Sequence, residues 1–215
     1  MHTAGELPNS QTIEGACRDH AQDALPIREA IRRSALFLFS NHGFHAISIR
    51  RLAASVGLHP GSLYVHFETK QDVLAELIEE YEHNLTLSIQ TNLNAPSGQK
   101  ELELYVRTNL TFRIEHREST VLAIHDYRFL APEAQQQIDS TRIYRKRLLI
   151  QILQKILGTA QKSPDFLAAG IESVIQIAAH EFRCDISICI KKHTARTYRL
   201  ALNMLGLPAL VKQLD

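Results

Sequence analysis

Between Ser48 and Lys70 two short apolar stripes at helical spacing are separated by one glycine, and this arrangement constrains the fold more than any other stretch. Ile49, Leu52, Ala53 and Val56 stand at i, i+3, i+4 and i+7, one face of a helix, with Ser48 ahead of them as N-cap. Gly57 follows the last apolar position, where a helix end favours a residue that tolerates a left-handed backbone, and Pro60 suits the first turn of the next helix. Leu63 and Phe67, four apart, turn that second helix back to the same core. The pattern predicts a helix-turn-helix.

Arg50 and Arg51 then point outward from the first helix, and Gly61, Ser62, Tyr64 and His66 from the second. Small, hydroxyl-bearing and aromatic groups on a short helix suit close approach to a phosphate backbone and base edges, and arginine can reach guanine with two parallel hydrogen bonds. Tyr64 and Phe67 also admit a plain reading as core aromatics; for Phe67 the spacing from Leu63 favours it. Arg51 reads as a solvated charge. Thr69 and Asp72 have capping-box spacing at the start of a further helix, where Lys70 can serve both helix and phosphate.

The run Leu-Ala-x-x-Val-Gly-Leu-x-x-Gly-Ser-Leu-Tyr-x-His-Phe-x-x-Lys, Leu52 to Lys70, resembles the DNA-binding domain of the tetracycline-repressor (TetR) family. The resemblance implies an all-α chain in which a helix-turn-helix head reads operator DNA and a larger helical domain binds a small effector and dimerises. It implies DNA contacts from Ser48, Arg50, Gly61, Ser62, Tyr64, His66 and Lys70. His59 departs from the pattern, since relatives carry a small hydroxyl or alanine there.

Net charge is only +1, but its distribution is uneven. From Pro26 to Lys70 six cationic residues face Glu29 and Glu68, a local balance of +4, whereas residues 1–25 carry −3. Positive charge therefore collects where the motif lies, as a nucleic-acid footprint requires. Three scattered cysteines, Cys17, Cys184 and Cys189, make no disulfide framework and suit a reducing cytoplasm. The start has no signal-peptide pattern, and the apolar region from Phe166 to Ile190 is broken by Glu172, Glu181, Arg183 and Asp185, which argues against a membrane span. A cytoplasmic location is expected.

Three segments are expected: a flexible extension over 1–25, the helix-turn-helix domain over 26–70, and a helical ligand-binding and dimerisation domain over 71–215, with a helix from about 70 to 92 joining the last two. The first helix is expected from Pro26 to Asn41. Further helices are predicted over 100–116, 119–130, 132–157, 164–183 and 187–205. Asp185 to Ile190 is the sole strand candidate, and helix or loop is preferred there. The apolar richness of the last two helices, from Ala168 to Ala178 and from Leu200 to Leu205, predicts an association face. The resemblance makes it a homodimer interface, which sets two recognition helices about 34 Å apart on a palindromic operator.

Asn109, Arg113, His125, Arg128, Arg142 and Tyr144, among apolar neighbours, are the candidate effector contacts. Asp126 to Glu133, with Arg142 and Tyr144, is similar to a subgroup of the family that senses acyl-coenzyme A thioesters, which implies an anionic ligand held by Arg128 or Arg142. A metal- or redox-responsive regulator of the same fold is an alternative, resting on His180, Cys184, Cys189 and His193; a helical protein-binding adaptor is another, though it leaves the basic head unexplained. Neither a catalytic residue nor a metal ligand nor a cofactor is assigned. The chain has no glycine-rich phosphate loop, GxSxG elbow or HExxH, so an enzyme is not expected.

Overall fold

Residues 20–158, 163–184 and 189–207 are described by a computed structural model, and helices with their connections make up all of them. The head is α1 (His20–His42), α2 (Ile49–Ser55) and α3 (Pro60–Leu63). Each boundary has a local cause. Ser48 accepts the Arg51 amide at 3.1 Å and starts α2, Gly57 turns the chain at φ +70°, and Pro60 opens α3. Thr69 and Asp72 close the expected capping box at the start of α4 (Lys70–Asn92).

The core of the head gathers Ile31, Ala35, Phe39, Ile47, Leu52, Leu63 and Phe67. It runs without a break along Leu74, Leu77, Ile78, Tyr81 and Leu85 of α4, the expected inner stripe. The stripe continues into a second layer, where α4 packs on α5 (Gly98–Glu115) and α7 (Pro132–Leu157), and these on α8 (Pro164–Cys184) and α9 (Ile190–Met204). One helix thus carries the core from the head into the body.

Three expectations on helix extent are corrected. α1 begins at His20 rather than Pro26, with the proline inside the helix. α9 begins at Ile190, later than the expected 187. The helix expected over 119–130 is three pieces: α6 (Arg117–Val121), a π-helical turn (Leu122–Asp126) and a 3₁₀ turn (Tyr127–Phe129). Arg142 of α7 donates to the Ala123 carbonyl at 2.8 Å, and such an inserted group breaks the regular i→i+4 ladder. Residues 1–19 of the expected extension and 185–188 of the strand candidate lie outside the described residues.

Candidate functional site

On the head, Tyr64 is 53% exposed and Val65 82%, the two apolar-bodied groups at the tip of the turn after α3. Gly61 and Ser62 are exposed, His66 is half-buried, and Phe67 is buried as its spacing demands. Sequence reasoning missed Val65, which falls between two expected contacts. One-turn α3 ends at Leu63, so the following residues leave the helical register and the i+4 rule no longer sorts them.

The basic lobe is rearranged relative to a count along the chain. Arg28 pairs with Glu76 and donates to the His66 carbonyl, with its guanidinium 4.1 Å from the centre of the Phe67 ring. Arg32 pairs with Glu80 and lies 3.1 Å from Glu29, and Arg33 lies 3.7 Å from Glu29. Arg28 and Arg32 brace α1 against α4, and Arg28 also holds the end of the recognition segment. Arg50 and Arg51, both exposed, enter no ion pair among the described residues. The charge free to meet a partner is therefore at the N-terminal end of α2.

Ser48 is exposed while its oxygen caps α2, and His59, where the family pattern is broken, caps α3 without a side-chain bond. The Lys70 ammonium donates to the carbonyls of Phe44 and Ile47, each at 2.8 Å, and sits 4.0 Å from the Phe44 ring centre. Burial lowers its pKa. Two of its three N–H groups are thereby spent on holding the α1–α2 turn. Its role in the fold was invisible at sequence level because the acceptors are backbone atoms more than twenty residues away.

In the body, a cavity of about 410 Å³ lies between α4, α5, α7 and α8, with the π-helical turn on one side. Of the expected effector contacts, Arg113 and Arg142 line it. Asn109 is buried beneath, accepting from Arg113 Nε at 2.7 Å. His125 and Arg128 are exposed, Arg128 over the Phe129 ring, and Tyr144 is bound by Gln90 at 2.6 Å; none of the three lines this cavity. The missed residues are Glu82, Tyr127, Arg145, Lys146, Glu172 and Gln176.

Glu82 receives Arg142 Nε and Arg145 Nη1, each at 2.7 Å. Burial alone would raise the Glu82 pKa, but Arg145 and Arg142 outweigh it and hold it below its ordinary value. Burial likewise opposes ionisation of Arg145, yet Glu82 and Glu172 carry its pKa upward. Glu172 in turn accepts from Tyr105, while Arg113 stands 3.6 Å away. A signal existed for two of these: Glu82 and Arg145 interrupt the buried stripes Ile78–Leu85 and Ile138–Leu149, where a charge needs a partner.

Along α8, Ala168, Ile171, Ile175 and Ala178 face inward, while Phe166 at 77% and Ile177 at 60% exposure face out. Leu200 and Met204 of α9 are also exposed. His193 is buried with Nε2 2.7 Å from the Ala178 carbonyl, so the sequence-level metal alternative loses one ligand to a backbone partner. Among the described residues no group of three or more His, Cys, Asp and Glu could hold a metal ion, and no helix is long and apolar enough to cross a membrane.

Residues 31–77 match the family described as bacterial regulatory proteins, tetR family. Over 140 residues the chain is 26% identical to the HTH-type transcriptional regulator YdgC of Bacillus subtilis, covering 63% of this chain and 66% of that relative, just under two thirds of its length. A tetR-family regulatory protein from Rhodococcus RHA1 superposes with a TM-score of 0.78 at 23% identity, covering 84% of this chain and 97% of the other. AibR, solved in complex with isovaleryl coenzyme A and operator DNA, superposes with a TM-score of 0.72 at 15% identity, covering 81% and 97%. These likenesses carry the fold.

Proposed function

Because the chain belongs to the tetR family of bacterial regulatory proteins, we propose that it is a homodimeric repressor released from a palindromic operator by a small-molecule effector. The observation that carries the DNA half is the pairing pattern of the head. Arg28 and Arg32 are consumed by α4, whereas Arg50, Ser62, Tyr64 and Val65 stand exposed on and beside α2 and α3 with no side-chain partner among the described residues. Arg50 and Tyr64 read base edges or stack at the groove, Val65 offers an apolar contact such as a thymine methyl accepts, and Ser48, Gly61, Ser62, His66 and the remaining N–H of Lys70 meet phosphate.

The outward stripe of Phe166 and Ile177 on α8, with Leu200 and Met204 on α9, is an apolar surface of the kind that a second copy of the chain covers. The body cavity is the effector site, and α4 transmits its state to the head. Ligand and operator then oppose each other by the same factor in both directions. An acyl-coenzyme A thioester is the second effector reading, favoured by the isovaleryl coenzyme A in AibR and by Arg142 on the cavity wall.

The test is a gel shift with DNA flanking the gene that encodes the chain. Wild type is retained at low salt and released at high salt, and Tyr64→Ala loses tenfold or more in affinity with its dimer intact by sedimentation. Equal shifts from both proteins would refute the assignment.

A further inference from the structure

We propose that the body cavity takes an organic carboxylate, which competes with Glu82 for Arg142 and Arg145 and so loosens α4 from α7. The site stands on geometry alone, while its effect on DNA rests on the regulatory reading above.

Charge sets the ligand class. Arg113, Arg142, Arg145 and Lys146 face Glu82 and Glu172 across the cavity, with Asp139 3.9 Å from Arg142 and Asp165 3.1 Å from Lys146. All eight charges balance, but the Asp139 and Asp165 side chains are 51% and 72% exposed at the rim, so the inner wall keeps three guanidiniums against two glutamates. One carboxylate matches that inner excess, whereas a dianionic phosphate would overshoot beside two glutamates. The volume of about 410 Å³ is ample for such an acid, and Ala123, Ile124 and Ala169 offer apolar wall to its carbon part.

Donor geometry agrees. Arg145 is 5% exposed and, among the described residues, uses only Nη1 on protein acceptors, Glu82 and Thr86. Arg113 uses Nε on Asn109, with Nη2 3.6 Å from Glu172. A guanidinium carries five N–H groups in one plane, so donors remain that suit a planar pair of oxygens.

Glu82 is the cavity's contribution from α4 and ties it to α7 by two ion pairs, beside the bonds of Thr86 to Arg145 and Gln90 to Tyr144. Arg142 also holds the π-helical turn through the Ala123 carbonyl, and that segment continues to Phe129, whose ring centre is 4.0 Å from His45 and whose carbonyl accepts from Gln71 at 2.8 Å. A ligand that takes Arg142 from Glu82 acts on both connections between cavity and head.

The test uses the full dimer at fixed ionic strength, with acetate, hexanoate and phenylacetate against the matching amides. At least one acid is expected to raise the melting temperature by roughly 3 °C or more and its amide to do nothing. Arg113→Lys and Arg142→Lys should each weaken that response about tenfold, because an ammonium offers no planar fork. Glu82→Gln should strengthen acid binding and weaken DNA retention. Should the variants fail to fold, 4-bromophenylacetate soaked into wild-type crystals decides: bromine signal beside Arg145 supports the site, and its absence overturns it. Amides matching acids, unchanged binding in both lysine variants, no response to any acid, or response to coenzyme A thioesters alone would each overturn it. Acid binding without DNA retention at any salt would sink the regulatory reading and leave the site standing; DNA retention indifferent to every acid that binds would leave the regulator and remove the coupling.

Discussion

Arginines of the head and of the body live in opposite surroundings. Arg50 and Arg51, on α2, stand in water with no ionic partner among the described residues; Arg142 and Arg145, beside the middle of α4, are held at 2.7 Å by a single glutamate that is almost fully buried. In water a unit charge is weakly felt and screened within about 8 Å at physiological salt, so the first pair can attract a phosphate backbone and release it again. In the interior the same charge must be matched at contact distance, so exchanging its partner rearranges whatever the old partner was attached to. Here that is α4.

The largest effect expected from this contrast is in the body. Arg145→Met leaves Glu82 with Arg142 alone and should cost about 3 kcal/mol in urea unfolding, the scale of breaking a buried pair. A loss below about 1 kcal/mol would mean that the interior arginine is as dispensable as a surface one. The pH dependence has a definite sign. The Glu82 pKa is depressed in the folded chain, so its contribution is complete above the ordinary glutamate value of about 4.3 and is lost as pH falls through the lower folded value. The stability gap between wild type and Arg145→Met should therefore narrow on acidification, and a gap constant down to pH ~3 would argue against Glu82 as the group responsible.

Lys70 lies between the two extremes. Its ammonium is half-buried and bound to two carbonyls, yet it sits at the edge of the proposed DNA face. Lys70→Met takes the ammonium from the carbonyls of Phe44, which keeps only a long bond from the Ile47 amide at 3.4 Å, and of Ile47, and should cost about 1–3 kcal/mol of stability as well as operator affinity. Tyr64→Ala, 53% exposed and free of side-chain bonds among the described residues, should cost affinity only. Melting curves of the two variants separate the roles, and an unchanged melting temperature for Lys70→Met would return that residue to the purely exposed class.

The contrast also explains what could be read from the chain. The turn at Gly57, the start at Pro60 and the box of Thr69 with Asp72 depend on residues a few positions apart, so their spacing specified them. Family resemblance supplied the candidate DNA contacts, and the exposure of Tyr64 and Ser62 is compatible with them. The neutralisation of Arg28 and Arg32 by Glu76 and Glu80 crosses more than forty residues, which turned a charge count of the head into an overstatement. The cavity was legible only in part. Arg113 and Arg142 were named, but Glu82 and Arg145 pair across sixty-three residues, and the π-helical turn is met at the Ala123 carbonyl by Arg142 from α7, nineteen residues on.

The smallest effects should come from the exposed pair. Arg50→Ala and Arg51→Ala touch no buried group and should each change stability by less than about 0.5 kcal/mol. Their signature is electrostatic. If each meets one phosphate, the slope of log affinity against log salt becomes shallower by about 0.9 per substitution, additively in the double variant. If Arg50 instead pairs with a guanine, its substitution should cost about 1–3 kcal/mol on operator DNA and far less on random duplex, with Arg51→Ala weakening both alike. Identical, salt-independent losses from the two variants would show that these side chains are not working in water as a field, and would erase the distinction between the arginines of the head and those of the body.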